Sequence, residues 1–422
     1  MSNKQIFAAL EVADHEVRLV VGEFFNTRFN IIKVERVPCF GLSFNAVTNP
    51  TEVTQAIRTA ADNARKMIGA DIQKVIVSMP SYRFKKFTVK STVDVKGIDQ
   101  NVTIQDVREA IRKAENARLD KSYALIQAHA LRYTVNGVST KRIPLGEHCA
   151  QMSVDIDLLC ADRRLSFDLI TCVENAGLSV LDIFPDVYAV GKEAALFEQN
   201  ANQQVIILKM EREVTTLALS KNGRISTAAV MPAGTGAIAS AVCDQYGLNT
   251  ETAVELMKYS ARLDQEVCSS NPVYIWAEGK ESRTISEQQL VDCLRPNVNL
   301  WLDSIEKTCV PILQAGATTV MITGEGGETQ GLSELVQKRL GVETTCYIPE
   351  TLGGRNAGLT ACLGLFYAYQ DKLPITGSIE DSLDMDAFAK AVAFREKPSK
   401  RQENKEDTLT NKLKGLFLEG KK

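Results

Sequence analysis

The chain has 422 residues, 45% of them hydrophobic and 24% charged, with a net charge of −3. Such a length leaves room for roughly two to four domains, the composition suits a chain that buries a sizeable core, and the charge balance gives no whole-chain reason to expect nucleic acid binding. Ten cysteines are scattered singly with none at a two-residue gap, and His15, His129 and His148 lie far apart, which argues against a metal knuckle, a redox pair and a histidine-rich metal site.

The opening "MSNKQIFAALEVAD" meets acids before any long apolar run, unlike a signal peptide. No stretch reaches the roughly 18 apolar residues of a spanning helix. A reducing cytoplasm is the expected home, with the cysteines as small core hydrophobes.

In chain order, Ile6–Val12, Val17–Phe25 and Asn30–Val37 are β-branched and aromatic runs separated by polar turns, and predict three strands. "NPTEVTQAIRTAADNARKMIG" predicts a helix. Asn49 caps it, Pro50 suits its first turn, and Val53, Ile57, Ala60, Ala64 and Met67 form one face. "KVIVSMP" (74–80) follows as a buried strand. Within 83–164, "TIQDVREAIRKAENARL" predicts a helix capped by Thr103 or Asn101, followed by alternating and strand-like runs. "LSFDLITCVENAGLSVLDIFP" (165–185) is expected to return to the first unit as a strand and a helix.

The opening order then repeats. "QVIILKM", "VTTLALS" and "RISTAAVM" predict three strands with Asn222-Gly223 as the second turn. A helix is expected from about Gly236, and "ATTVMITG" (317–324) is another buried strand. Two βββα…β units imply two related α/β lobes facing each other. In a second insert, Leu290, Leu294, Val298, Trp301 and Ile305 recur at helical spacing, with Pro296 expected to kink or split the helix.

After about 393 the chain turns charged and poor in apolar residues, as a linker does. It ends on "DTLTNKLKGLFLEGKK", where Leu409, Leu413, Leu416 and Phe417 form one helical stripe flanked by Lys412, Lys414, Lys421 and Lys422. Residues 390–422 hold ten Lys and Arg against five Asp and Glu. Such an amphipathic basic helix suits an anionic lipid surface. Each nearby lysine contributes about 1 kcal/mol there, so binding is reversible and gains from self-association.

Twin lobes of this order are the plan of the actin, Hsp70 and sugar-kinase superfamily. More closely, "ENAGLSV", "KRIPLGEHCAQMSVDIDLL", "AAVMPAGTGAIASAVCDQYGLNTETAVELMK", "VMITGEGGETQGL", "LGGRNAGLTACLGLFYAY" and the tail together resemble, in order and spacing, the bacterial cell-division family FtsA. The resemblance implies an α/β, two-lobed actin-like fold with an inserted α+β subdomain of SHS2 type. The first lobe then takes 1–82 and 165–200, interrupted by the insert at 83–164. The second takes 201–239 and 311–393 around an insert at 240–310, followed by a linker at 394–406 and a membrane-targeting helix at 407–422.

The resemblance also implies an adaptor, peripheral on the cytoplasmic face of the membrane at the division septum. It would tether FtsZ by its C-terminal tail, recruit later division proteins and self-associate into filaments. Arg295 matches a basic position of the family's FtsZ-tail site, but Asn297 and Val298 stand where acids usually follow. ATP and magnesium are the family's cofactors, and Gly234, Gly236, Thr323, Gly324, Gly326 and Gly327 match its nucleotide turns.

The departures fall on the phosphate loops. The first reads Glu11-Val12-Ala13-Asp14, with no glycine, and in the second Lys209, Glu211, Arg212 and Glu213 replace an acid and three glycines. Val254 and Met257 stand where the family has a glutamate and a lysine near the nucleoside. Side chains there block close backbone approach. Glu11, Asp14, Glu211 and Glu213 would crowd a phosphate tail at about 4 kcal/mol per unit-charge pair at 4 Å, offset in part by Lys209 and Arg212. ATP binding is therefore expected to be weak or absent, the remaining glycines to be tight turns, and no residue stands out as a catalytic base. The alternatives are an actin-like component of a pilus or secretion assembly, and an actin-fold ATP-dependent enzyme.

Overall fold

The computed structural model describes residues 4–396 except 27, 97, 199–202, 280 and 378–379. The tail residues Leu409, Lys412, Leu413, Lys414, Leu416, Phe417 and Lys421 lie outside the described residues.

The first lobe opens with the meander β1 (Lys4–Val12), β2 (Glu16–Phe25) and β3 (Arg28–Pro38), then the short pair β4 (Leu42–Ser43) and β5 (Ala46–Val47). Helix α1 (Pro50–Ile68) and strand β6 (Lys74–Met79) follow. Asn49 accepts the Glu52 amide and caps α1. The inward face of α1 closes on Ile68, while Met67 is 56% exposed, against expectation. The helical phase at the last turn favours 68 over 67, since 64 and 68 stack at i, i+4.

The insert contains β7 (Lys85–Asp94), α2 (Ile104–Glu115), β8 (Tyr123–Val135), β9 (Val138–Thr140) and β10 (Gln151–Asp162), as one antiparallel sheet in the order β7-β10-β8-β9. Thr103, rather than Asn101, starts α2. Its amide and hydroxyl both donate to Asp106. The chain returns through helix α3 (Arg163–Asn175) and then strand β11 (Ser179–Pro185), the reverse of the expected order, and continues into α4 (Asp186–Glu193).

The second lobe repeats the construction with β12 (Gln204–Met210), β13 (Thr215–Lys221) and β14 (Arg224–Met231), followed by α5 (Thr235–Tyr246) and α6 (Thr250–Ser260). Asn222 and Gly223 both take positive φ, as a two-residue hairpin turn demands. Then come the hairpin β15 (Pro272–Glu278) and β16 (Glu281–Ser286), α7 (Glu287–Leu313), β17 (Thr318–Thr323), α8 (Leu332–Leu340), β18 (Thr344–Cys346), α9 (Thr360–Thr376) and α10 (Met385–Glu396). Pro296 does not split α7, which is one continuous helix with Leu290, Leu294, Val298, Trp301 and Ile305 buried.

The two main sheets correspond strand for strand. One has the order β11-β6-β1-β2-β3, the other β18-β17-β12-β13-β14. In each, the first strand of the meander pairs antiparallel with the second and parallel with the strand after the helices. Both first strands are buried on both sides. Ile6, Leu10 and Val12 join the core under α1, whereas Phe7 and Ala9 face the other way. Ile206, Leu208 and Met210 join the second-lobe core, and Ile207 faces back. Phe7, Ala9, Ile207, α4 and the buried face of α9 form a core common to both lobes. This shared core sets the two β1–β2 and β12–β13 hairpin turns against each other. Among the described residues, no helix is long and apolar enough to cross a membrane.

Candidate functional site

The two hairpin turns meet at the bottom of the interlobe cleft. The Asp14 carboxylate, from the first-lobe turn, accepts the backbone N–H groups of Arg212 (3.2 Å), Glu213 (2.6 Å) and Val214 (3.2 Å) from the second-lobe turn. Behind this contact lies a lattice of buried charge. Arg18, with no solvent exposure, sits on β2 opposite Glu11 of β1. It grips Glu211 across the cleft with both terminal nitrogens, at 3.0 and 2.6 Å, and reaches Glu11 at 3.2 Å and Glu16 at 2.6 Å. Lys209 donates to Glu11 at 2.7 Å and to Asp186, at the start of α4, at 3.0 Å. Asp186 also accepts from Ser81.

A second cluster extends toward the adenosine-side turn of the resemblance. Arg212 donates to both oxygens of Glu325, at 2.9 and 2.5 Å, and to Glu251 at 3.1 Å, while Thr235 donates to Glu325. His15 contacts Asp14 through Nδ1 at 2.9 Å, and its Nε2 lies 3.6 Å from both Glu16 and Glu325.

The electrostatics follow from this pairing. Burial alone would lower the affinity of Arg18 for its proton, but Glu211, Glu16 and Glu11 outweigh it and push the pKa well above the guanidinium range. Burial likewise opposes the charge on Lys209, yet Asp186, Glu11 and Glu211 hold it firmly protonated. Burial would raise Glu16, and Arg18 and Arg36 bring it down to about 2 instead. Glu211, against the same burial, is held well below the usual carboxylate range by Arg18 and Lys209. Buried charges keep their charge where each has a partner at hydrogen-bond distance.

The expected site residues have these places. Glu11, Asp14 and Glu211 are buried and paired rather than facing open space, whereas Glu213 is exposed beside Asp14 and Ser43. Lys209 and Arg212 prove to be full partners of these acids. Gly234 and Gly236 pack on the second-lobe turn: a Cβ on Gly234 would stand 2.2 Å from the Glu211 carbonyl oxygen. Gly324 and Gly326 lie against Met210, and Gly327 against Ala357. Thr323 is buried and hydrogen-bonds Thr360 at 2.7 Å. Val254 and Met257 belong to the second-lobe core.

Between the turns, a cavity of about 40 Å³ lined by Glu11, Asp14, Asp186, Lys209 and Glu211 has room for a few waters. An open pocket of about 530 Å³ remains at the mouth, lined by Phe40, Arg212, Glu213, Asn249 and Glu251. In the second-lobe insert, Arg295 is half-exposed and donates to the Gln265 carbonyl at 3.2 Å. Asn297 donates to the Ala237 carbonyl and Val298 is buried, so both positions where acids were expected serve the fold.

Arg18, Asp186 and Glu325 were not singled out from the sequence. A signal for Arg18 existed: it is the lone cation in the apolar run "VRLVVG", directly after Glu16.

No family model matches the chain. Curated proteins do. The cell division protein FtsA of Bacillus subtilis (strain 168) is 22% identical over 371 residues, covering 86% of this chain and 83% of that protein. FtsA of Enterococcus hirae is 22% identical over 447 residues, covering 99% of each. The chain is thus similar to FtsA over nearly its whole length. Solved structures show the fold independently. The PilM–PilN type IV pilus biogenesis complex superposes with a TM-score of 0.56 at 15% identity, covering 85% of this chain and 97% of that one. The ethanolamine utilization protein EutJ of Carboxydothermus hydrogenoformans gives 0.50 at 12% identity, covering 85% and 88%. The chain has the two-lobed actin-like fold.

Proposed function

We propose that the protein is a membrane adaptor of bacterial cell division that tethers FtsZ at the septum and recruits later division proteins. On this reading it works as an actin-like scaffold without nucleotide chemistry. The similarity to FtsA over nearly the whole length of both chains carries the first part. The basic stripe of Leu409, Leu413, Leu416, Phe417, Lys412, Lys414 and Lys421 supports attachment to anionic lipid at the cytoplasmic face.

The second part rests on the closed cleft floor. In the actin plan the two hairpin turns flank the phosphates of ATP, and their backbone N–H groups cradle them. Here Asp14 takes those N–H groups, and the side chains of Arg18, Lys209 and Glu211 stand between the turns. These residues do not fit a magnesium-bound phosphate chain, so neither ATP binding nor hydrolysis belongs to the proposed activity.

Retention on immobilised FtsZ C-terminal tail peptide, with flotation on anionic liposomes, tests the adaptor role. Wild type is expected in both assays. Leu413→Glu should lose only the liposomes, and Arg295→Glu should weaken only the peptide. A chain that ignored the peptide would favour a second reading, an actin-like component of a pilus or secretion assembly, with which the PilM likeness is compatible.

A further inference from the structure

We infer that the Asp14 carboxylate is a built-in substitute for a bound anion and that, with Arg18 and Lys209, it clamps the two lobes into one permanently closed arrangement. This rests on the nucleotide-silent reading and goes beyond it, because a cleft that binds nothing is equally free to open.

Three successive backbone N–H groups, those of Arg212, Glu213 and Val214, converge on the Asp14 oxygens. Successive amides turned to one side form a concavity suited to anions. The anion in it belongs to the opposite lobe, so the contact joins the lobes as a bridging ligand would. Arg18 adds a two-pronged bond from the first lobe to Glu211 of the second, and Lys209 adds one from the second lobe to Glu11 and Asp186 of the first. All of these side chains are buried, so salt screens the lattice far less than it screens surface pairs. With Glu16 held ionised down to a pH of about 2, and Glu211 also held low, these links of the lattice persist across the neutral range. Lobe closure is therefore a fixed property of the fold, and assembly is governed by local concentration at a surface.

Amide hydrogen exchange on the full chain tests this, followed at 11–18 in the first lobe and 209–215 in the second, with and without magnesium and ATP. In wild type both segments are expected to be well protected and unaffected by ATP. In Asp14→Ala, both should exchange about tenfold faster or more, the factor corresponding to 1.4 kcal/mol, while β12 and β17 keep their protection.

Wild-type segments that already exchange freely would overturn the clamp but leave the nucleotide-silent reading standing. So would an Asp14→Ala effect confined to 209–215, which would make Asp14 a local brace of one turn. Protection that rises with ATP would instead overturn the nucleotide-silent reading itself. The paired variant Arg18→Met with Glu211→Gln, which leaves Glu16 on Arg36 and Glu11 on Lys209, should deprotect both segments as Asp14→Ala does. Should Asp14→Ala not fold, this variant and the wild-type comparison still decide the question.

Discussion

Helix α4 has two acidic ends with opposite fates. At its N-terminus, Asp186 takes Lys209 and Ser81 and stands within the lattice that joins the lobes. At its C-terminus, Glu193 has a buried carboxylate oxygen with no hydrogen-bond partner, and burial pushes its pKa up to about 7. The helix dipole acts in the same sense, favouring an anion at the first end and opposing one at the last. His129, which faces Tyr188 of the same helix, is half-buried. Its pKa falls to about 4, from burial first and the charge of Lys192 second. One molecule thus shows both outcomes of burying a titratable group: with an ion-pair partner it keeps its charge, and without one it shifts toward the neutral form.

Four substitutions sharpen or break that contrast. The largest effect is expected at Arg18. Arg18→Ala leaves Glu211 and Glu16 buried and short of a partner, and urea unfolding should show a loss of about 3–5 kcal/mol, with Arg18→Met plus Glu211→Gln recovering part of it. A loss below about 1 kcal/mol, within the range of exposed pairs, would mean that the lattice does not hold together as described.

His129 comes next. Its folded pKa lies below its unfolded value near 6.5, so the neutral ring is the stabilised form. Its contribution is intact above 6.5 and declines as pH falls through 4. His129→Gln should flatten the stability profile in that window by roughly 2–3 kcal/mol.

Glu193 runs the other way. Its folded pKa lies above the ordinary carboxylate value of 4.5, so the protonated form is favoured, and stability declines as pH rises from 4.5 through about 7. Glu193→Gln should therefore be more stable than wild type at pH 8 by roughly 1–2 kcal/mol after discounting for its partial exposure, and equal to it at low pH. The smallest effect belongs to an exposed pair. Arg65→Ala breaks the 3.2 Å contact with Asp71, both side chains mostly in solvent, and melting should register a change within about 0.5 kcal/mol.

The same contrast explains what the sequence disclosed. The paired β-meanders are legible because a strand buried on both faces reads as a near-continuous apolar run, as in "QIFAALEV" and "QVIILKM". The Asn49 cap and the Asn222-Gly223 turn are legible because their chemistry is local. The loss of glycines from both turns was visible as well. The identity of the replacement was not. Glu11 and Lys209 are 198 residues apart, as are Asp14 and the Arg212 amide, and nothing local in either turn says which acid meets which base. Taking Lys209 and Arg212 as only a partial offset overstated the conflict among the acids, and Arg18 is not legible because a cation inside an apolar strand reveals its role only when its three carboxylates are placed around it. Met67 fell to a different limit, the one-residue phase of a helix end.

The most direct test of the central claim is equilibrium titration of the purified full chain with a fluorescent ATP analogue in the presence and absence of magnesium. The account predicts no saturable, magnesium-dependent signal, because Asp14 already holds the N–H groups a phosphate would need. Sub-micromolar affinity that disappears when magnesium is removed would contradict it.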